Sequence, residues 1–156
     1  MDCCAPKPAA TRACPTCGAA GRKVKRVTLD ALVAEAPPEG EDHRFCAAPG
    51  CPVAYFSDAG TVLTSAVRVR IGQKETAADR PLCYCFGHAA SDVVDEVRAT
   101  GSSTIPARIA ERCERGEDRC EETNPQGSCC LGNVRVVLKQ AQREAATVAS
   151  CCGHET

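Results

Sequence analysis

The chain has 156 residues, enough for one domain or two small ones, and 19 basic against 20 acidic residues leave a formal net charge of −1. That balance makes no electrostatic case for a nucleic acid or an anionic membrane as partner. With no Trp, two Tyr and three Phe, an aliphatic core of this size needs cross-links, and fourteen cysteines are present to supply them.

Disulfide and metal compete as the cross-link. The N-terminal "MDCCAPKPAATRAC" shows no apolar h-region, and no run approaches a membrane span. The expectation is therefore a cytoplasmic chain with reduced thiols, in which paired cysteines serve as metal ligands or redox groups.

Residues 1–13 are rich in Ala and Pro without periodicity and read as a flexible tail carrying Cys3 and Cys4. Residues 14–82 read as a small β-rich module. "KVKRV" (23–27) alternates, "TVLTSAVRVRI" (61–71) is rich in β-branched residues, and "SDAG" before Thr61 is a hairpin turn. "LDALVAEA" (29–36) reads as a short helix stopped by Pro37 and Pro38. The join to the second half falls near the polar "KETAADRP" (74–81).

Residues 83–150 read as a three-helix unit. Ser91 is placed to cap a helix from Asp92 to about Thr100, with Val93, Val94 and Val97 on one face and Gly101 as its stop. A second helix starts at Ser103 or Thr104, holds Pro106 in its first turn, turns Ile105, Ile109 and Ala110 inward, and ends before Gly116. A third begins after Gly132, where Val134, Val137, Leu138, Ala141, Ala145 and Val148 recur at helical spacing. Residues 151–156, "CCGHET", form a second short tail. The fold class expected is α+β.

Chemistry concentrates in the cysteines. "CPTCG" supplies Cys14 and Cys17, and "FCAAPGCPVAYF" supplies Cys46 and Cys51. A CxxC turn aims two thiolates at one point, and a second pair from another segment completes a tetrahedron suited to Zn²⁺. The second pair is spaced CxxxxC, so the match to a zinc ribbon is loose, and four reduced core cysteines are the alternative. His43 is an outside candidate ligand. The role expected of zinc is structural.

Cys83 and Cys85 stand one residue apart in "CYCFG", a spacing that strains a disulfide but allows both to face one inorganic centre. Cys113, Cys120, Cys129 and Cys130 follow. Cys83, Cys85, Cys120 and Cys130 all fall in loops at helix ends, where free amides and positive helix termini favour thiolates, whereas Cys113 falls on the second helix. Four thiolates suit either a second zinc ion or an iron–sulfur cluster.

The "CYCFG" stretch, a capped helix and "CEETNPQGSCCLGNV" resemble the iron–sulfur half of the CopZ-type copper metallochaperones, which is similar to the bacterioferritin-associated ferredoxin fold. "CPTCG" with "FCAAPGCPVAYF" resembles the zinc module of the same family, and the likeness spans roughly residues 14–140. The resemblance implies one Zn²⁺ and one [2Fe–2S] cluster in a cytoplasmic protein. It places Cys83, Cys85 and Cys120 on the cluster, with Cys130 as the fourth ligand, Cys129 as its alternate and Cys113 as an alternate to Cys120. Some members also carry an MxCxxC copper-binding domain, a loop that these 156 residues lack.

Soft-metal transfer of Cu(I) or Hg(II) is then expected of the vicinal pairs Cys3–Cys4 and Cys151–Cys152, helped by His154, unless these are incidental terminal thiols. The acceptor is a metal-transporting ATPase or another metal-binding partner. The other reading is a [2Fe–2S] electron-transfer ferredoxin that docks on an oxidoreductase or an iron-storage protein. His88 beside the cluster loop is either a hydrogen-bond donor to the site or an ordinary loop histidine. No GxSxG, HExxH, P-loop or GxGxxG context is present, so the one reaction to consider is reduction of Cu(II) by the cluster. The mixed charges from Glu111 to Arg119 read as a solvated face.

Overall fold

The computed structural model describes residues 13–151. A four-stranded antiparallel sheet in the order β1-β2-β3-β4 comprises β1 (Arg22–Lys23), β2 (Arg44–Phe45), β3 (Val53–Ser57) and β4 (Gly60–Leu63). Helix α1 (Arg26–Leu32) packs beside it. A two-stranded ribbon, β5 (Pro81–Cys83) and β6 (His88–Ala89), then leads into α2 (Ala90–Thr100), α3 (Ile105–Glu114), the single-turn α4 (Cys120–Thr123) and α5 (Leu131–Cys151). The architecture is α+β. No helix among the described residues is long and apolar enough to cross a membrane.

The "SDAG" hairpin forms as expected, with Ser57 facing Gly60. Other elements differ from the sequence reading, each for a local reason. The alternating "KVKRV" holds strand only to Lys23; Val24 adds one more bond, its N–H donating to the His43 carbonyl at 2.9 Å, and α1 begins at Arg26. That start puts Thr28, Leu29 and Leu32 on one buried face. The helix ends at Leu32, short of Pro37, because Val33 pairs with Val67 and the Ala34 N–H donates to the Ala66 carbonyl at 2.8 Å. The long β-branched run keeps strand only to Leu63. Pro52 precedes β3 and has no N–H with which to extend the ladder, so the chain turns into a 3₁₀ segment at Thr64–Ala66.

In the second half, α2 starts at Ala90, and Ser91 is not its cap. The Ala90 and Ser91 amides donate to the carbonyls of Arg80 and Ala78 at 3.0 and 2.8 Å, while the Asp92 carboxylate accepts the Ala89 N–H at 2.8 Å. The linker thus satisfies the orphan donors that a capping side chain would otherwise take. Gly101 ends α2 with φ 84°, the left-handed conformation a glycine adopts without strain. α3 carries Pro106 in its first turn and buries Ile105 and Ile109, whereas Ala110 is half-buried. Four helices follow residue 83 where three are expected, the additional one being α4. α5 starts at Leu131 and buries Val134, Val137 and Ala141; beyond them Ala145 and Val148 are exposed.

Three apolar clusters hold this arrangement. Leu29, Phe45, Tyr55 and Val62 fill the space between α1 and the sheet, with the Phe45 and Tyr55 ring centroids 5.7 Å apart. Val53 and Phe56 pack with Cys14, Cys46 and Cys51. Leu82, Val93, Ile105, Ile109, Val134 and Val137 pack with Cys83 and Cys130 between α2, α3 and α5. Each fully buried aliphatic contributes roughly 1.5–3 kcal/mol, so both cysteine-bearing clusters rest on packed supports.

The two halves are in direct contact. The buried Tyr55 hydroxyl donates to the Pro125 carbonyl at 2.6 Å, and the Thr28 hydroxyl donates to the Glu121 carbonyl at 2.6 Å. Gln73 Nε2 donates to Asn124 Oδ1 at 3.0 Å. Gly127, at φ 69°, lies so close to α1 that a Cβ there would stand 2.9 Å from Thr28 Oγ1.

Candidate metal centres

The first site is built by two tight turns. The Gly18 N–H donates to the Cys14 carbonyl at 2.8 Å, and the Cys14 N–H to the Ala19 carbonyl at 2.8 Å, folding "CPTCG" so that Cys14 and Cys17 face the same point. Cys46 leaves the end of β2, and Cys51 precedes β3. The four sulfurs lie within 4.8 Å of one another; Cys14 Sγ is 3.9 Å from Cys51 Sγ, and Cys17 Sγ is 3.6 Å from Cys46 Sγ. Thiolates at about 2.3 Å from a tetrahedral Zn²⁺ are separated by roughly 3.8 Å, so the set fits that ion. Cys14, Cys46 and Cys51 are buried and Cys17 is exposed. His43 is not part of the set: it is buried, and its Nε2 engages the Gly40 carbonyl at 3.1 Å.

The thiols of this site ionise unequally. Burial pushes the Cys14 thiol up, but the Cys17 and Thr16 amides and the Cys17 and Cys46 thiols outweigh it and bring it down to about 7. Burial pushes Cys46 up, and its Cys17 and Cys14 neighbours add to the rise. Close thiols sharing protons in this way exchange them for a cation. Lys74 supplies positive charge nearby, its ammonium donating to the Ala48 and Cys51 carbonyls at 3.0 and 3.1 Å.

In the second half the cysteines lie at element ends and turns. Cys83 closes β5, Cys85 sits in the β5–β6 turn, Cys120 opens α4, and Cys130 immediately precedes α5, its carbonyl accepting the Val134 N–H at 3.0 Å. Cys120 therefore lies on a helical turn, where a loop is expected from sequence. Cys85 Sγ is 3.5 Å from Cys120 Sγ, and Cys83 and Cys130 share the buried cluster between α2, α3 and α5. The Cys130 thiol brings Cys83 down to about 7 against the effect of burial, and Cys83 in turn drives Cys130 upward. Burial first, then Cys85, raises Cys120.

Cys85 Sγ accepts the Arg119 N–H at 3.1 Å and lies 3.2 Å from the Thr123 hydroxyl. Sequence reading did not single out Thr123. Its position three residues after Cys120, one turn along α4, is the signal that could have found it.

Of the two alternate ligands, Cys113 is half-buried against the helical core, where burial first raises its thiol to about 11, and Cys129 is exposed. His88 is half-buried on β6, where burial and then Arg108 lower its pKa. The charged run is exposed as expected: Arg112 pairs with Glu117 at 2.7 Å and also lies 3.9 Å over the Phe86 ring. Cys151 is exposed on the last residue of α5, while Cys3, Cys4, Cys152 and His154 lie outside the described residues.

Residues 11–68 match the family model of the CopZ-type zinc binding domain, and the four convergent thiols lie within that stretch. The longer comparison is with the copper chaperone CopZ of Archaeoglobus fulgidus, to which the chain is 29% identical over 121 residues, 75% of this chain and 57% of that protein. The chain thus spans just over half the length of that relative. The X-ray structure of the Archaeoglobus fulgidus CopZ N-terminal domain superposes with a TM-score of 0.62 at 26% identity, covering 80% of this chain and 96% of that one. The similarity therefore extends past the zinc-binding stretch into the helical half.

Proposed function

We propose that this chain traffics a soft metal, copper or mercury, with a structural zinc ion in its first half and a [2Fe–2S] cluster in its second. Zinc falls to Cys14, Cys17, Cys46 and Cys51. The cluster would be held by Cys83, Cys85, Cys120 and Cys130. One observation carries the assignment. Among the described residues, the zinc set converges within 4.8 Å, whereas in the second set Cys85 meets Cys120 at 3.5 Å and Cys83 and Cys130 lie in the buried helical core. A mononuclear ion needs the first arrangement; two irons held apart by bridging sulfides need the second.

Bound there, the cluster supplies one electron at a time, which is what conversion of Cu(II) to Cu(I) requires. The protein's part is to hold and tune it. The Arg119 amide donates to Cys85 Sγ and would stabilise negative charge on that sulfur, while the Thr123 hydroxyl, 3.2 Å from the same sulfur, donates to the Arg119 carbonyl at 2.9 Å and holds that segment. The buried Cys83 and Cys130 fix the inner edge within the helical core. The similarity to a copper chaperone supports copper as cargo. Cys3, Cys4, Cys151 and Cys152 are the transfer ligands, a metal-transporting ATPase or another metal acceptor is the partner, and the cytoplasm is the site of action.

Cys85 is half-buried, so this ligand lies near solvent, where a bound cluster would be within reach of a partner. That favours, as the second reading, an electron-transfer ferredoxin docking on an oxidoreductase or an iron-storage protein. Anaerobic purification with iron, sulfide and zinc analysis tests the inventory: two irons, two sulfides and one zinc per chain are expected. A colourless protein with two zinc ions would leave no redox function. Cu(I) titration against a competing chelator separates the two readings, since a pure electron carrier retains no copper.

A further inference from the structure

Three consecutive residues reach from the zinc loop to two of the segments that carry the second set of cysteines. They form a 3₁₀ turn, Gly72–Lys74. At three residues per turn, successive side chains leave about 120° apart, so neighbours serve different loops. The Lys74 ammonium donates to the Ala48 and Cys51 carbonyls, at 3.0 and 3.1 Å, in the loop that joins Cys46 to Cys51. Gln73 Nε2 donates to Asn124 Oδ1 at 3.0 Å and to Gln126 Oε1 at 3.2 Å. Those two side chains hold the approach to Cys130: Asn124 Nδ2 donates to the Ser128 carbonyl at 2.9 Å, and Gln126 Nε2 to the Cys129 carbonyl at 3.0 Å. The Gly72 N–H donates at 2.9 Å to the hydroxyl of Tyr84, the residue between Cys83 and Cys85. The turn has no room to drift, because a Cβ at Gly72 would stand 1.9 Å from the carbonyl oxygen of Pro81, on the strand that ends in Cys83.

Stability alone does not account for Gln73. Its two acceptors fix the orientation of the amide and leave Oε1 buried without a hydrogen-bond partner among the described residues, an arrangement that costs free energy. Neither acceptor depends on it. Asn124 Oδ1 also accepts the Gln126 N–H at 3.2 Å, and Gln126 Oε1 also accepts from Asn133 Nδ2 at 2.9 Å. A leucine at this position would leave both acceptors paired and remove the orphan oxygen; what it would break is the tie between the turn and the Asn124–Gln126 segment.

We propose that Gln73 is a positioning residue for the second metal centre, and that the turn carrying it makes the order of the zinc loop felt at the segment leading into Cys130. Under the two-metal reading above, on which the identity of both occupants rests, zinc would draw Cys46 and Cys51 together and fix the carbonyls that Lys74 holds. Lys74 then fixes the turn, and Gln73 and Gly72 set the Asn124–Gln126 segment and Tyr84. A first half without zinc would slacken that loop and leave Cys83 and Cys130 less firmly held, as loss of an outer-shell contact does at metal sites generally.

The test is iodoacetamide alkylation of the anaerobically purified full chain, followed at each cysteine by mass spectrometry, in wild type, Gln73→Leu, Cys17→Ser and the double variant. Cys17→Ser removes the exposed zinc ligand and leaves the three buried ones. Gln73→Leu is expected to keep the wild-type Tm and zinc content and yet to react several-fold faster at the buried Cys130. Cys17→Ser is expected to speed Cys130 as well, and the double variant to be no faster than the faster single, since both changes act along one path. In iron-loaded protein, Gln73→Leu is expected to alter the visible circular dichroism of the cluster at unchanged iron content. Lys74→Met, which keeps all four zinc thiols, takes the place of Cys17→Ser if that variant does not fold. Unchanged Cys130 reactivity in Gln73→Leu overturns the role, whether or not its Tm falls. So does a double variant whose rate rises by the product of the two single effects. A protein without iron or sulfide overturns the cluster reading alone, because the alkylation comparison is read on the same thiols.

Discussion

Cys14 and Cys46 belong to one site yet hold their protons with different strength: burial raises both, but two amides and the neighbouring thiols bring Cys14 down, whereas the neighbouring thiols push Cys46 further up. Zinc must displace the tightly held proton, so its affinity follows pH. Zinc content measured after equilibration at a series of pH values is expected to fall on acidification, as protons reclaim the thiolates. Lys74 offsets the negative charge of four thiolates through its contacts with the loop carbonyls. Lys74→Met is expected to weaken zinc roughly 10–100-fold in a chelator competition, with Lys74→Arg closer to wild type. At the second centre, Thr123→Val removes a hydroxyl 3.2 Å from Cys85 Sγ. Its proton goes to the Arg119 carbonyl, so it acts on Cys85 by holding the segment whose amide donates to that sulfur; with the proposed cluster bound, Thr123→Val is expected to give a more negative midpoint potential in redox titration, restored by Thr123→Ser.

The turn between α2 and α3 shows how one carboxylate organises an element boundary. Glu96 on α2 accepts from the Ser103 hydroxyl, from the Thr104 N–H at 3.2 Å and hydroxyl at 3.1 Å, and from Arg108 at 3.0 Å. It does the capping that Thr104 does not, and the Ser103 hydrogen bond first holds its pKa below the ordinary value of 4.5. Glu96→Gln is expected to cost about 1 kcal/mol at neutral pH, the usual weight of a helix cap. A carboxylate with a depressed folded pKa stabilises above its unfolded value and loses that effect as pH falls through the folded one. The Tm difference between Glu96→Gln and wild type should therefore be full above pH 4.5 and shrink below it. Ser103, Pro106 and Gly101 were legible as boundary signals; Glu96 was not, because its partners lie across a turn.

Taken whole, the zinc-binding and helical halves are coupled through "NPQG". Pro125 accepts the Tyr55 hydroxyl, and Gly127 sits against Thr28. Tyr55→Phe leaves a buried carbonyl unpaired and is expected to cost about 1–3 kcal/mol in thermal or denaturant unfolding. Gly127→Ala forces a Cβ toward Thr28 at a positive φ and should act in the same direction. Under the proposed cluster assignment, chelating zinc should also hasten loss of the visible chromophore from the helical half. A chromophore indifferent to zinc would show two independent units.

Spacing and composition alone singled out Cys14, Cys17, Cys46 and Cys51, because a CxxC turn and a second local pair are written in consecutive residues. The helix periods of α2, α3 and α5 were legible for the same reason: apolar spacing is a local property. Which thiols face one another in the second half depends on four elements meeting, and no local pattern encodes that. Only the tertiary packing set Cys85 against Cys120 and brought Cys83 and Cys130 into one buried cluster. It also let the Arg80 and Ala78 carbonyls replace the expected Ser91 cap, since hydrogen bonds between distant segments leave no period in the chain that makes them.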